Sequence, residues 1–170
     1  PVDYSDRQRG HAHLEFHGGP ITDLIAHEPA IRFLKEMFGE AWPDFPAADF
    51  DLIQQSLDFI GINYYLRAVT KNDPTNPIER AVRIRQPGAI YTETGWEVYP
   101  PALTDVLLWF HDRYGKTPIY ITENGAAFYD PPTAIDGAVN DPLRIYYLRD
   151  HILALARAIE KGAHVRGYFV

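Results

Sequence analysis

The 170 residues fit one domain and leave no room for two large ones. With 46% hydrophobic and 23% charged residues, the composition is that of a globular chain rather than a disordered or fibrous one. A formal net charge of −7, with no basic cluster to offset it, argues against a nucleic-acid or anionic-membrane partner, because like charges repel the phosphates.

Taken in chain order, residues 5–16 are polar with scattered apolar positions and read as the end of a surface helix. Pro29 suits a first helical turn, Ile31, Leu34 and Phe38 follow at helical spacing, and Gly39 stops the run. Asp49 to Gln55 reads as a further turn or two of helix. Asp58 to Tyr65, DFIGINYY, is short, apolar and rich in β-formers, so it is predicted to be a strand. From Lys71 to Ile90, three prolines predict loop, with a short strand at Ala81 to Arg85. Pro100 and Pro101 then open an amphipathic helix whose Leu103, Val106, Leu107, Phe110 and Tyr114 share a face, and Gly115 closes it.

Pro118 to Thr122 is a second strand of the buried type, followed by a loop over 124–140. Asp141 caps a long helix with Pro142 at its first position, an apolar stripe of Leu148, Ile152, Leu155 and Ile159, and Gly162 at its end. His164 to Val170 is a third strand. Short apolar strands alternating with amphipathic helices predict an α/β fold with a parallel sheet and right-handed crossovers. The pattern suits a doubly wound sheet and a (β/α)₈ barrel equally.

The absence of cysteine excludes a disulfide framework and a thiolate metal site. No apolar run approaches the roughly 18 residues that cross a bilayer, and the opening PVDYSDRQRGHAH is polar, so no membrane partner and a cytoplasmic location are expected. His13 and His17 share a helix face at i, i+4, but no matched carboxylate accompanies them, and solvated or structural roles are favoured over a metal site. No Gly-rich phosphate loop, Rossmann fingerprint or nucleophile elbow is present, and no cofactor is expected.

The most informative local feature is Ile121-Thr122-Glu123-Asn124-Gly125. It places a carboxylate at the C-terminal end of a buried strand, where parallel α/β folds hold their catalytic groups. A strand running into an Asn-Gly turn, with a merely solvated glutamate, produces the same five residues.

Context separates the two readings. DFIGINYY resembles the sixth barrel strand of family 1 glycoside hydrolases, and PIYITENGAAF their seventh. Gly95-Trp96-Glu97-Val98-Tyr99-Pro100 resembles the loop before the next helix, and Asp141 to Val170 the last crossover with the start of strand eight. The chain is therefore identified as resembling the C-terminal portion of a β-glucosidase of this family, residues 1–170 being part of one TIM barrel domain, approximately strands 6 to 8 with their helices.

The resemblance implies Glu123 as the nucleophile of a retaining glycosidase and Tyr65 as the hydroxyl that orients it. It also implies Asn63 and Trp96 as sugar-site residues, Trp96 on the aglycone side. Such enzymes need two carboxyl groups about 5–5.5 Å apart, one attacking and one donating a proton. The family's acid/base stands in an Asn-Glu-Pro motif, which is absent; His27-Glu28-Pro29 is rejected because no apolar strand precedes it. The segment FHGGPITDLIAHEPA departs from the family's usual run before Met37-Phe38-Gly39-Glu40.

The implied substrate is a β-glucoside or short β-linked oligosaccharide. Because eight strands close such a barrel, the chain is expected to need the missing N-terminal part or self-association, and to be inactive alone. A non-catalytic carbohydrate-binding or assembly fragment, and a portion of a phospho-β-glucosidase, are the alternatives.

Overall fold

The computed structural model describes residues 35–43, 46, 48–49, 57–76, 80–130, 134 and 136–170. The predicted helix over 5–16, the start of the helix at Pro29, nearly all of the turn at 49–55, the His13 and His17 pair, His27-Glu28-Pro29 and the FHGGPITDLIAHEPA segment lie outside them. Residues 35–38 are helical and run into a 3-10 turn at Gly39–Ala41.

Among the described residues, five strands and two long helices follow: β1 (Ile60–Asn63), β2 (Thr70–Asn72), β3 (Ala81–Arg83), α1 (Pro101–Tyr114), β4 (Ile119–Glu123), α2 (Pro142–Glu160) and β5 (Val165–Tyr168). β1, β4 and β5 form one parallel sheet in the order β1-β4-β5, so α1 and α2 are the crossovers between neighbouring strands. β2 and β3 make a separate antiparallel pair. The three predicted sheet strands are present; the first and third are shorter than expected, and the second begins one residue later and runs on to Glu123. β2 falls in a stretch read mostly as loop, because Thr70, Lys71 and Asn72 are all exposed and carry no apolar alternation.

The helix signals act as expected. Pro101 occupies the first turn of α1, and Gly115, at φ 64°, closes it with its N–H on the His111 carbonyl. The Asp141 carboxylate accepts from the Arg144 N–H at the start of α2, and its hydrogen bond from the Arg144 side chain lowers its pKa from the ordinary carboxylate value. Gly167 answers a close approach: a Cβ there would sit 2.6 Å from Cδ1 of Tyr120 on the neighbouring strand.

Both helices pack on one face of the sheet. Leu103 and Leu107 of α1, Ile119 and Ile121 of β4, and Ala154, Leu155 and Ala158 of α2 form the core, with Tyr64 and Ala163. The stripe expected on α2 is a correction. Ile152 and Ile159 are about half exposed, and the buried face is Tyr147, His151, Ala154, Leu155 and Ala158. The two alanines let the helices meet closely enough for the Thr104 hydroxyl to donate to the Ala154 carbonyl at 2.8 Å.

A matched pair of substitutions checks this arrangement. Leu107→Ala is expected to lower stability by about 2–5 kcal/mol, since a fully buried leucine is removed. Ile152→Ala is expected to change it by no more than about 0.5 kcal/mol. Urea denaturation followed by circular dichroism reads both, and equal effects would contradict the observed face of α2.

Candidate active site

The opposite face of the sheet, where Gly61, Asn63 and Thr122 lie, is exposed among the described residues, as is Glu123 at the end of β4. Alternation along β1 sends Ile60, Ile62 and Tyr64 toward the helices, leaving Gly61, Asn63 and Tyr65 for the open side. Because β1 and β4 are parallel neighbours, their C-terminal ends coincide. A register slip between Ile62 and Asn63 sets Asn63 opposite Glu123.

Tyr65 lies two residues past the end of β1, and its hydroxyl donates to Glu123 Oε2 at 2.6 Å. That hydrogen bond to a carboxylate raises the Tyr65 phenol above its ordinary value. Beside it, the Thr122 hydroxyl donates to Asn63 Oδ1 at 2.6 Å, fixing the Asn63 amide against the strand bearing Glu123.

Trp96 arrives on a different segment. Thr92 closes a tight turn around it: the Thr92 N–H donates to the Trp96 carbonyl at 2.9 Å and the Trp96 N–H to Thr92 Oγ1 at 3.1 Å. Gly95 completes the turn at φ 78°, a backbone region open to glycine and strained for other residues. The Trp96 ring meets that of Tyr65 with centroids 5.2 Å apart and planes tilted by 55°. The four residues named from sequence therefore gather at one end of the sheet: Tyr65 touches Glu123 and Trp96, and Asn63 is paired across the strand from Glu123. Among the described residues no group of three His, Asp or Glu side chains converges as a metal site would require.

Two residues of the site's framework were not singled out from sequence. Glu97, next to Trp96, is buried and takes a forked pair of hydrogen bonds from Arg67, at 2.8 Å from Nε and 2.6 Å from Nη2. The available signal was opposite charges two residues beyond Tyr65 and one beyond Trp96. Asn124, read as a turn residue, is also buried, with its amide fully engaged.

The family model of glycosyl hydrolase family 1 matches residues 4–170. A 1,4-β-D-glucan glucohydrolase of Thermotoga neapolitana is 37% identical over 152 residues, covering 89% of this chain and 33% of its own length. A β-glucosidase of an Agrobacterium species is 34% identical over 158 residues, covering 92% of this chain and 34% of its own. Among solved structures, the β-glucosidase of Thermotoga maritima in complex with castanospermine superposes with a TM-score of 0.71 at 36% identity, over 81% of this chain and 30% of that one. The chain thus spans about a third of the length of the relatives it matches. The parallel sheet and its two crossover helices are part of a (β/α)₈ barrel.

Proposed function

The chain belongs to glycosyl hydrolase family 1, and on that premise we propose that it is the C-terminal portion of a single barrel domain that hydrolyses β-glucosides with retention of configuration. The observation that carries the reading is the 2.6 Å hydrogen bond between Tyr65 and Glu123 at the ends of adjacent parallel strands. Catalytic carboxylates of barrel enzymes stand at that end of the sheet.

In this reading Glu123 attacks the anomeric carbon and forms a covalent glycosyl-enzyme, which water then cleaves. Tyr65 holds the attacking carboxylate in place. Asn63 offers an amide to the sugar from the open face, and Trp96 gives an apolar wall on the leaving-group side. The second carboxyl group, which protonates the leaving oxygen and later activates water, lies outside this chain. The substrate is a β-glucoside or short β-linked oligosaccharide, consistent with the names borne by the relatives. A cytoplasmic location goes with the reading and is compatible with the cysteine-free composition.

The division of the site has a direct consequence. The purified 170-residue chain is expected to show no hydrolysis of an aryl β-glucoside, because it supplies one carboxyl group of the two and an uncovered sheet face. The parent protein that carries these residues, or the chain joined by the missing part of the barrel, is expected to hydrolyse it and to release the β-anomer first, read by NMR. Substantial turnover by the monomeric chain alone would overturn the division, and first release of the α-anomer would overturn retention.

A further inference from the structure

Directly behind the Tyr65–Glu123 pair, Asn124 is 3% exposed and makes three hydrogen bonds to three other elements. Its Nδ2 donates to the Tyr64 carbonyl past the end of β1 at 2.7 Å and to the Tyr147 hydroxyl of α2 at 3.1 Å. Its Oδ1 accepts from the Tyr168 hydroxyl of β5 at 2.6 Å. A carbonyl only accepts, so the Tyr64 contact fixes which end of the amide is nitrogen. Both Nδ2 hydrogens are then used, and Tyr147 is left with its single proton to donate elsewhere. It donates to the Tyr65 carbonyl, at 3.3 Å.

The consequence concerns Tyr65. The carbonyl before its peptide nitrogen is held by Asn124, and its own carbonyl by the hydroxyl that Asn124 engages. The Tyr64 N–H meanwhile donates to the Glu123 carbonyl at 2.9 Å, closing a ring of contacts between residues 64–65 and 123–124. Two pinned carbonyls fix the direction in which the Tyr65 side chain leaves the backbone. On the other strand, Glu123 is bonded covalently to the residue doing the pinning.

We propose that Asn124 is the positioning residue of this site: its buried amide, through Tyr64 and Tyr147, sets the 2.6 Å contact between the Tyr65 hydroxyl and Glu123. The inference rests on the reading of Glu123 as the nucleophile and assigns Asn124 no contact with substrate. An aspartate at 124 would keep the Tyr168 bond and lose both donated ones. An alanine would lose all three and leave the Tyr64 carbonyl without its partner. The core position of Tyr147, whose phenol burial pushes up to about 12, keeps that hydroxyl protonated and able to donate at neutral pH.

The test uses the 170-residue chain labelled with ¹³C at tyrosine Cζ, with the Tyr65 signal assigned through Tyr65→Phe. The reporter is the ionisation midpoint of Tyr65, raised in the parent chain by the bond to Glu123. Glu123→Gln calibrates the scale by removing the charge. Asn124→Ala is expected to bring the Tyr65 midpoint at least half of the way to the Glu123→Gln value, and Tyr147→Phe to move it in the same direction.

A role limited to stability would shift the unfolding transition and leave the Tyr65 midpoint of the folded chain where it was. Unmoved midpoints in both variants, against a clear shift in Glu123→Gln, overturn the assignment of Asn124 and leave the pair intact. No shift in Glu123→Gln means that the pair itself does not form, and both the assignment and the reading beneath it fall. Should Asn124→Ala not fold, Tyr147→Phe decides alone, since it keeps the buried ring and removes one oxygen.

Discussion

In the assembled enzyme, Glu123→Gln is expected to lower kcat by roughly 10⁴- to 10⁶-fold, the scale at which loss of a nucleophile leaves only binding and electrostatics at work. The amide has the size and shape of the carboxyl group it replaces, and its oxygen still accepts the Tyr65 hydroxyl. Glu123 is exposed at the end of β4, so the change removes no buried contact and the fold is expected to persist. On the proposed reading, what disappears is the negative oxygen that would attack the anomeric carbon. Because that interaction matures in the transition state, kcat and kcat/KM should fall together, with KM little changed. Tyr65→Phe should cost less, on the order of 10²-fold, because it frees the carboxylate to rotate without removing it. Steady-state hydrolysis of an aryl β-glucoside ranks the two. A Gln variant within tenfold of the parent protein would remove Glu123 from the chemistry.

The ranking depends on geometry that the sequence showed unevenly. Pro101, Gly115, Asp141 and Pro142 mark the ends of both helices because caps and prolines act locally, and the structure places them where those rules put them. The place of Glu123 at the end of β4 was legible for a similar reason, since it directly follows a buried apolar strand, but the same five residues suit a plain Asn-Gly turn and left its role open. That Tyr65, Asn63 and Trp96 would lie near Glu123 was suggested only by likeness to a family, because nothing in their spacing brings positions 65 and 96 together.

The face of α2 was misread for a physical reason. Choosing the largest aliphatic residues selects Ile152 and Ile159, but the tight contact with α1 and the sheet requires small or flat side chains, and Ala154, Ala158, Tyr147 and His151 supply them. His151 enters that face because its Nδ1 has the Tyr147 carbonyl at 2.7 Å, while burial pushes its charged form away. Asn124 and Glu97 escaped notice because an Asn before Gly and a Glu in a loop are ordinary surface residues until a partner buries them. Local rules find the ends of elements; the polar groups that join elements emerge only when distant segments are placed side by side.

Glu97→Ala tests the second of those joints, with an expected loss of about 3–5 kcal/mol in folding stability, the range for breaking a buried ion pair by removing one partner. The side chain of Glu97 is 3% exposed and that of Arg67 22%, so the expected loss lies toward the lower end of the range. Arg67 cannot shed its charge, and its guanidinium lies 3.6 Å from the centre of the Tyr99 ring, where it would remain without its carboxylate. The pair also joins two parts of the site: Arg67 follows Tyr65 by two residues, Glu97 adjoins Trp96, and residues 67 and 97 form an isolated β-bridge. Losing it should therefore loosen the contact between the Trp96 and Tyr65 rings as well as the fold. Replacing both partners with apolar residues, Arg67→Met with Glu97→Leu, should recover most of the loss, because no charge is then left unpaired. Urea denaturation of the parent chain, Arg67→Met, Glu97→Leu and the two together closes a double-mutant cycle and isolates the coupling between the two side chains. A Glu97→Ala chain within about 0.5 kcal/mol of the parent would show that water reaches Arg67 freely, and that the loop carrying Trp96 is held by the Thr92 turn instead.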